Sequence, residues 1–219
     1  MAFPSQPVLD AFNRADGGLG ASWTSPVVSG EEIMEILSNQ VKKDTGNAPR
    51  GSDYWNGSTH SEAEAYADLP TLPSVNAYVT LTARIVNPGG ASLDGYEVRI
   101  TDRTDAARMR WSFYRIDDGV FTLVGGNTDD ILTPSSYQIG LEASGSTFTF
   151  YRTNGGGAWT NIGTRSDATY SAAGYIGLGA SGGAAEAARL DNFGGGTIGA
   201  GAAYQPRYGY VHHNNPGIA

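Results

Sequence analysis

Apolar and polar residues alternate with a period of two through most of this chain, and turn residues interrupt the alternation roughly every 8–12 positions. Over residues 78–85, Val79, Leu81, Ala83 and Ile85 alternate with Tyr78, Thr80, Thr82 and Arg84, which predicts a strand with one buried face. Residues 96–101 set Tyr96, Val98 and Ile100 opposite Glu97, Arg99 and Thr101. Met109, Trp111 and Phe113 alternate with Arg108, Arg110, Ser112 and Tyr114, and Asp118-Gly119 turns the chain into residues 120–124. Residues 137–143 and 147–152 form a hairpin around Ser144-Gly145, with Phe148 and Phe150 on one face. Residues 158–162, 176–180 and 189–193 read as further strands. Gly177 and Gly179 interrupt the second of these, which marks a close backbone approach or a bulge.

The first third is less regular. Residues 8–12 and 19–23 read as strands around the turn at Asp16-Gly17-Gly18. Residues 31–41 fit a helix through Ile33, Ile36 and Leu37, or strands after the turn at Ser29-Gly30; the β-rich surroundings favour strands. Residues 42–57 read as a loop carrying Tyr54 and Trp55, residues 61–66 as a short strand, and residues 69–73 as a rigid proline-flanked segment. About a dozen short strands predict an antiparallel sandwich or jelly roll rather than a parallel α/β fold. The division is a domain over residues 1–195 and a Gly/Ala/Tyr-rich arm over residues 196–219.

Composition narrows the function classes. A chain of 219 residues buries roughly 70% of its unfolded surface and needs no covalent staple. With no cysteine, disulfides, thiol catalysis and Cys-based metal sites are excluded. Fourteen basic against 22 acidic residues leave a net charge of −8, without the basic footprint of a nucleic-acid binder. No stretch of 18 apolar residues predicts membrane insertion. The opening Met-Ala-Phe-Pro-Ser-Gln-Pro has neither a basic nor an apolar signal region, so folding in the cytoplasm is the expectation.

The run from Leu9 to Trp23, Leu-Asp-Ala-Phe-Asn-Arg-Ala-Asp-Gly-Gly-Leu-Gly-Ala-Ser-Trp, resembles the start of many concanavalin A-like, laminin-G-like jelly-roll domains. Gly174-Tyr175-Ile176-Gly177-Leu178-Gly179 and Arg189-Leu190-Asp191-Asn192-Phe193 resemble that family's last strands, and Gly95-Tyr96-Glu97-Val98-Arg99-Ile100 a central one. The resemblance implies an all-β concanavalin A-like sandwich of two antiparallel sheets with a C-terminal extended arm. Its first and last strands would be neighbours, bringing Phe12 and Phe193 to one core. The same motifs resemble minor tail and other virion proteins of tailed bacteriophages. That implies a non-catalytic structural subunit, a minor tail or head decoration protein, assembled in the host cytoplasm and located in the virion. Its partners would be other virion proteins and copies of itself.

The alternative is a carbohydrate-binding module recognising host-surface glycan. Sugar rings stack on aromatic faces flanked by planar polar groups. Tyr54, Trp55 and Asn56, with His60 nearby, form one such cluster, and Trp159 with Asn161 and Tyr151 a second. A glucanase-like glycoside hydrolase is the third reading. Glucanases with the family's fold carry Glu-x-Asp-x-Glu on a strand, and Glu62-Ala63-Glu64-Ala65-Tyr66 replaces the third acid with tyrosine. No catalytic residue is therefore assigned. No cofactor is required, with structural Ca2+ a candidate at Asp10 and Asp191 if the terminal strands pair. His212-His213 lacks a third ligand. The arm carries one charged residue after Phe193, Arg207, and too little apolar area for a core of its own. Tyr204, Tyr208, Tyr210 and Val211 are expected to dock on a neighbouring subunit.

Overall fold

The computed structural model describes residues 2–44, 46, 48–73, 77–102, 108–131, 137–154, 156–182 and 188–199. The described residues contain strands and no helix. In chain order the strands are β1 (Val8–Asp10), β2 (Gly17–Gly18), β3 (Trp23–Thr24), β4 (Met34–Leu37), β5 (Gln40–Lys43) and β6 (Arg50–Trp55). Then come β7 (Ala63–Thr71), β8 (Tyr78–Val86), β9 (Asp94–Asp102), β10 (Arg108–Asp117), β11 (Val120–Leu123) and β12 (Thr128–Ile131). The last are β13 (Tyr137–Ser144), β14 (Thr147–Asn154), β15 (Thr160–Ser166), β16 (Tyr175–Ser181) and β17 (Arg189–Thr197). They form two antiparallel sheets. The nine-stranded sheet runs β15-β14-β13-β7-β17-β5-β4-β2, with β1 also on β17. The eight-stranded sheet runs β11-β10-β9-β8-β16-β6-β3, with β12 also on β10.

Alternation supplies the core. Val79, Leu81, Ala83, Tyr96, Val98, Ile100, Trp111 and Phe113 from one sheet meet Ala65, Leu69, Ile139, Leu141, Phe148 and Phe150 from the other, all buried. The ring of Tyr96 lies 5.5 Å from Phe113 and 4.2 Å from Phe148, so an aromatic stack joins the two layers. The first and last strands pair, with Asp10 opposite Phe193. Trp23 sits between Phe12 at 5.8 Å and Phe193 at 4.9 Å. The Asp118-Gly119 turn carries φ of 48° and 76°. Ser38 and Asn39 do the same between β4 and β5, with φ of 56° and 61°, which resolves residues 31–41 as strands.

Several expectations change. Residues 42–57 are not one loop, because β6 carries Tyr54 and Trp55 between β16 and β3. Glycine suits this strand since a Cβ at Gly51 would lie 2.8 Å from the Ile33 carbonyl oxygen. Ile85 does not share the face of Val79, Leu81 and Ala83. A bulge between Ala83 and Val86, with Arg84 at φ 55°, reverses the alternation. Arg84 therefore turns inward over Phe148 and donates to the Ser61 and Tyr170 carbonyls, while Ile85 joins a small outer cluster with Val27, Leu93 and Ile116. β7 runs on through Leu69, Pro70 and Thr71, so the first three residues of the proline segment are sheet. β17 extends to Thr197, placing Gly194, Gly195 and Gly196 in the sheet rather than at the root of the arm. Tyr204, Tyr208, Tyr210, Val211, His212 and His213 lie outside the described residues.

The outer face of the eight-stranded sheet is closed by its own chain. The segment from β3 to β4 links β6 to the turn after β8. Val27 N donates to the Ser52 hydroxyl at 3.1 Å, and Gly89 N donates to the Val27 carbonyl at 2.8 Å. Glu31 accepts from the Ser52 hydroxyl and pairs with Arg50, and Arg50 donates to Glu97 at 2.6 Å. Arg99 completes the chain, its Nε 2.5 Å from Glu97. Buried charges of this kind persist only when fully paired. Gly177 and Gly179 let this face close. A Cβ at Gly177 would stand 2.5 Å from the Asp53 carbonyl oxygen and 2.9 Å from the Thr82 hydroxyl.

Two outcomes follow from this packing. Gly177→Ala should lower stability by about 1–3 kcal/mol through overpacking, read as a lower urea midpoint at unchanged m-value; an unchanged midpoint would contradict the close approach. Burial pushes the Glu31 carboxyl from 4.5 up to about 7, against the opposing pull of Arg50 and Ser52. Between those values the folded protein holds a proton that the unfolded chain has released. The stability due to Glu31 is thus greatest below 4.5 and falls as pH rises to about 7. Burial pushes Asp53 up to about 6 and adds the same slope in any Glu31 variant. Glu31→Gln should therefore lose less thermal stability than the parent between about pH 5 and pH 8. Parallel melting-temperature profiles would contradict the assignment.

Candidate functional site

The residues of the first aromatic cluster do not meet on one surface. Neighbours along β6 point to opposite faces. Tyr54 packs outward against Tyr175, ring centroids 4.8 Å apart, while Trp55 meets Trp23 edge-on at 5.5 Å. Asn56 donates to the Ala21 carbonyl and the Thr24 hydroxyl, both at 3.0 Å. His60 is buried, its ring nitrogens 2.8 Å from the Thr197 hydroxyl and 3.0 Å from that of Ser58. Burial holds its imidazole below the usual range. These contacts fasten the end of the sandwich.

Asp10 and Asp191 do come near one another through the β1–β17 pairing. Burial raises the Asp191 carboxyl, the Asn192 amide opposes this, and Asp68 and Asp10 raise it further. Asp10, however, already accepts from both terminal nitrogens of Arg14 at 2.7 and 2.9 Å, from Phe12 N at 2.8 Å and from Trp23 Nε1 at 2.8 Å. Burial pushes that carboxyl up, and these donors together hold it below its ordinary value. Asp68 is taken by Gln138 and Asn192. Among the described residues no group of three His, Asp or Glu side chains has the spacing for a metal ion. The arrangement does not fit calcium, because an arginine occupies the donor oxygens a cation would need.

The second aromatic cluster has a different setting. Tyr151 on β14 and Trp159 just before β15 lie half-buried on the outer face of the nine-stranded sheet. Asn161 is exposed beside them, its side-chain oxygen accepting from Gly163 N at 2.9 Å. Two further rings complete the group. Phe3 lies flat on Tyr151, centroids 4.2 Å apart at 8°, and meets Trp159 edge-on at 5.0 Å and 80°. Tyr66 of β7 stands edge-on to Phe3 at 6.4 Å and to Trp159 at 6.2 Å. Gly140 forms the floor, since a Cβ there would lie 2.3 Å from the Phe3 ring and 3.2 Å from Trp159.

A carboxylate borders this floor. Glu64 is 1% exposed and accepts from Ser5 N at 2.8 Å, the Ser5 hydroxyl at 3.0 Å and Gln6 N at 2.5 Å. Burial raises it, and those backbone donors oppose the rise. Glu142 stands directly opposite on β13 and is also raised, by burial and then by Glu64. Glu64 is therefore a buried acceptor in a central strand, not part of a solvent-facing edge. Glu62 accepts from Gly145 N at 3.0 Å. The sequence located Tyr151, Trp159 and Asn161, but not Phe3, Tyr66 or Gly140. Glycine within the apolar strand Ile139–Leu141 was the available signal for a close approach.

No protein-family model matches the chain, and no curated protein does. Solved structures share its fold. The carbohydrate binding module CBM66 from Bacillus subtilis superposes with a TM-score of 0.56 at 13% identity, over 82% of this chain and 98% of that one. The VIP36 exoplasmic/lumenal domain in its Ca2+/Man3GlcNAc-bound form gives a TM-score of 0.55 at 10% identity, over 81% and 84%. The xylan β-1,4-xylosidase from Bacillus halodurans C-125 gives 0.61 at 15% identity, over 88% of this chain but only 40% of the xylosidase. At these identities the likeness is one of fold, and the fold is an all-β, concanavalin A-like jelly-roll sandwich of two antiparallel sheets.

Proposed function

We propose that this chain is a non-catalytic carbohydrate-binding module whose glycan contact is the Tyr151–Trp159 surface of the nine-stranded sheet. The observation that carries this is the grouping of flat rings over a glycine floor beside a buried carboxylate acceptor. A sugar presents an apolar C–H face to aromatic rings and hydroxyl donors to carboxylates, and this surface has both complements. Two of the solved structures sharing the fold are described as a carbohydrate binding module and as a mannose-containing glycan complex. The hydrolase reading has less support. Tyr66 stands where the strand's third acid would be, and Glu62 is held by Gly145 N, so the acidic set of a glucanase strand is incomplete. Placement in a virion rests on the sequence motifs, docking of residues 204–211 on a neighbour rests on the composition of the arm, and both are compatible with sugar binding.

An array of xylo-, gluco- and manno-oligosaccharides probed with the whole chain should show binding. Trp159→Ala should weaken it about tenfold or more, as loss of a buried aromatic contact does. Trp55→Ala should lower stability through the Trp23 contact yet leave affinity of the folded fraction unchanged. Absence of binding by the whole chain, and by a variant lacking residues 2–6, would contradict the reading.

A further inference from the structure

We propose that residues 3–6 are an internal occupant of a pyranose subsite formed by Glu64, Tyr66, Gly140, Tyr151 and Trp159, so that glycan binds by displacing them. This rests on the carbohydrate-binding reading above and adds where the sugar ring sits and what holds the subsite closed.

The position of Phe3 carries the argument. Its side chain belongs to neither of the buried clusters that hold the sandwich together. Among the described residues its ring partners are on the outer face: Tyr151 beneath it, with Trp159 and Tyr66 at its sides. A six-membered ring lying flat on one aromatic face and walled by two others is the pose a pyranose adopts on an aromatic platform. Gly140 supplies the depth, because any side chain there would strike the occupant ring.

The polar contacts repeat the likeness. Two amides and one hydroxyl of residues 5 and 6 donate to the single carboxylate of Glu64. Tyr66 Oη donates to the Gln6 carbonyl at 2.9 Å. Neighbouring sugar hydroxyls offer both kinds of partner, donors for Glu64 and an acceptor for Tyr66. Exchanging one set for the other leaves no buried polar group unpaired, so displacement avoids the penalty for an orphaned carboxylate.

The segment is also placed to leave. It joins β1 through Pro7, which is exposed, and Val8, which is 41% exposed. Beyond the subsite it is held by Gln6 Nε2 to the Thr197 carbonyl at 2.7 Å and by Gly199 N to the Ser5 hydroxyl at 3.1 Å. Being tethered, it competes at high effective concentration without strong intrinsic affinity. The apparent dissociation constant for glycan is then the intrinsic one divided by the fraction of molecules with the subsite vacant.

The test titrates the parent protein, Phe3→Ala and Phe3→Ala/Tyr151→Ala with xylohexaose, cellohexaose and mannohexaose. Affinity is read by calorimetry, and the Ser5, Gln6 and Trp159 amide and indole signals by NMR. A segment docked nine-tenths of the time or more predicts that Phe3→Ala binds at least one of the three about tenfold tighter than the parent. The double variant should lose that binding. At saturation the parent's Ser5 and Gln6 amide signals should move to solvent-exposed positions. Equal affinity in parent and Phe3→Ala, with Ser5 and Gln6 unmoved, would overturn the occupant proposal and leave carbohydrate binding standing. No binding of any oligosaccharide by folded Phe3→Ala would overturn both.

Discussion

Three consecutive residues without side chains, Gly194, Gly195 and Gly196, set the geometry on which the outer surface depends. They lie in β17 directly opposite Tyr66, Ala65 and Glu64 of β7. A Cβ at Gly194 would fall 2.1 Å from the Tyr66 ring, and one at Gly195 2.2 Å from the Glu64 carbonyl oxygen. Gly195 and Gly196 adopt φ of 150° and 147°, which L side chains rarely take. The bare strand lets Tyr66 lie across β17 and reach the Gln6 carbonyl, and Tyr66 then forms one wall for Phe3. The same strand carries Phe193 inward to Trp23 and brings β1 alongside, so a single strand serves core and surface together.

The two outer faces of the sandwich are covered by different physics. On the eight-stranded sheet the cover is ionic. Glu31, Arg50, Glu97 and Arg99 form a paired chain over strands kept flat by Gly177 and Gly179, and opening it would strand buried charges. On the nine-stranded sheet the cover is a short segment held by the Phe3 ring, by hydrogen bonds to Glu64 and Tyr66, and by two more to Thr197 and Gly199. Local opening is cheaper where few buried apolar contacts must be given up. That asymmetry agrees with a ligand surface on the second face, where the aromatic grouping lies.

The period-two alternation made most of the sandwich legible, including the core run Trp111, Phe113, Phe148 and Phe150, while the pairing of the terminal strands came from the resemblance of the opening and closing motifs. It failed where a backbone irregularity changed the phase. Nothing local in Thr82-Ala83-Arg84-Ile85 announces a bulge, and its cost is met by Arg84 reaching two carbonyls far away in sequence. β6 was hidden because Gly51, Ser52 and Asp53 resemble loop residues, although Gly51 is there for close packing. For the site, Tyr151, Trp159 and Asn161 were visible as an aromatic and polar group around a turn. Glu64 was visible as an acid, but its role depends on Ser5 and Gln6, some sixty positions away, and such pairings leave no periodic trace.

In the proposal above, sugar and Phe3 compete for one place. A crystal structure of the whole chain with a bound oligosaccharide tests this most directly. The expected result is a pyranose ring stacked on Tyr151 beside Trp159, hydroxyls on Glu64, and residues 3–6 displaced. A sugar bound elsewhere on the sandwich, with Phe3 still flat on Tyr151, would contradict it.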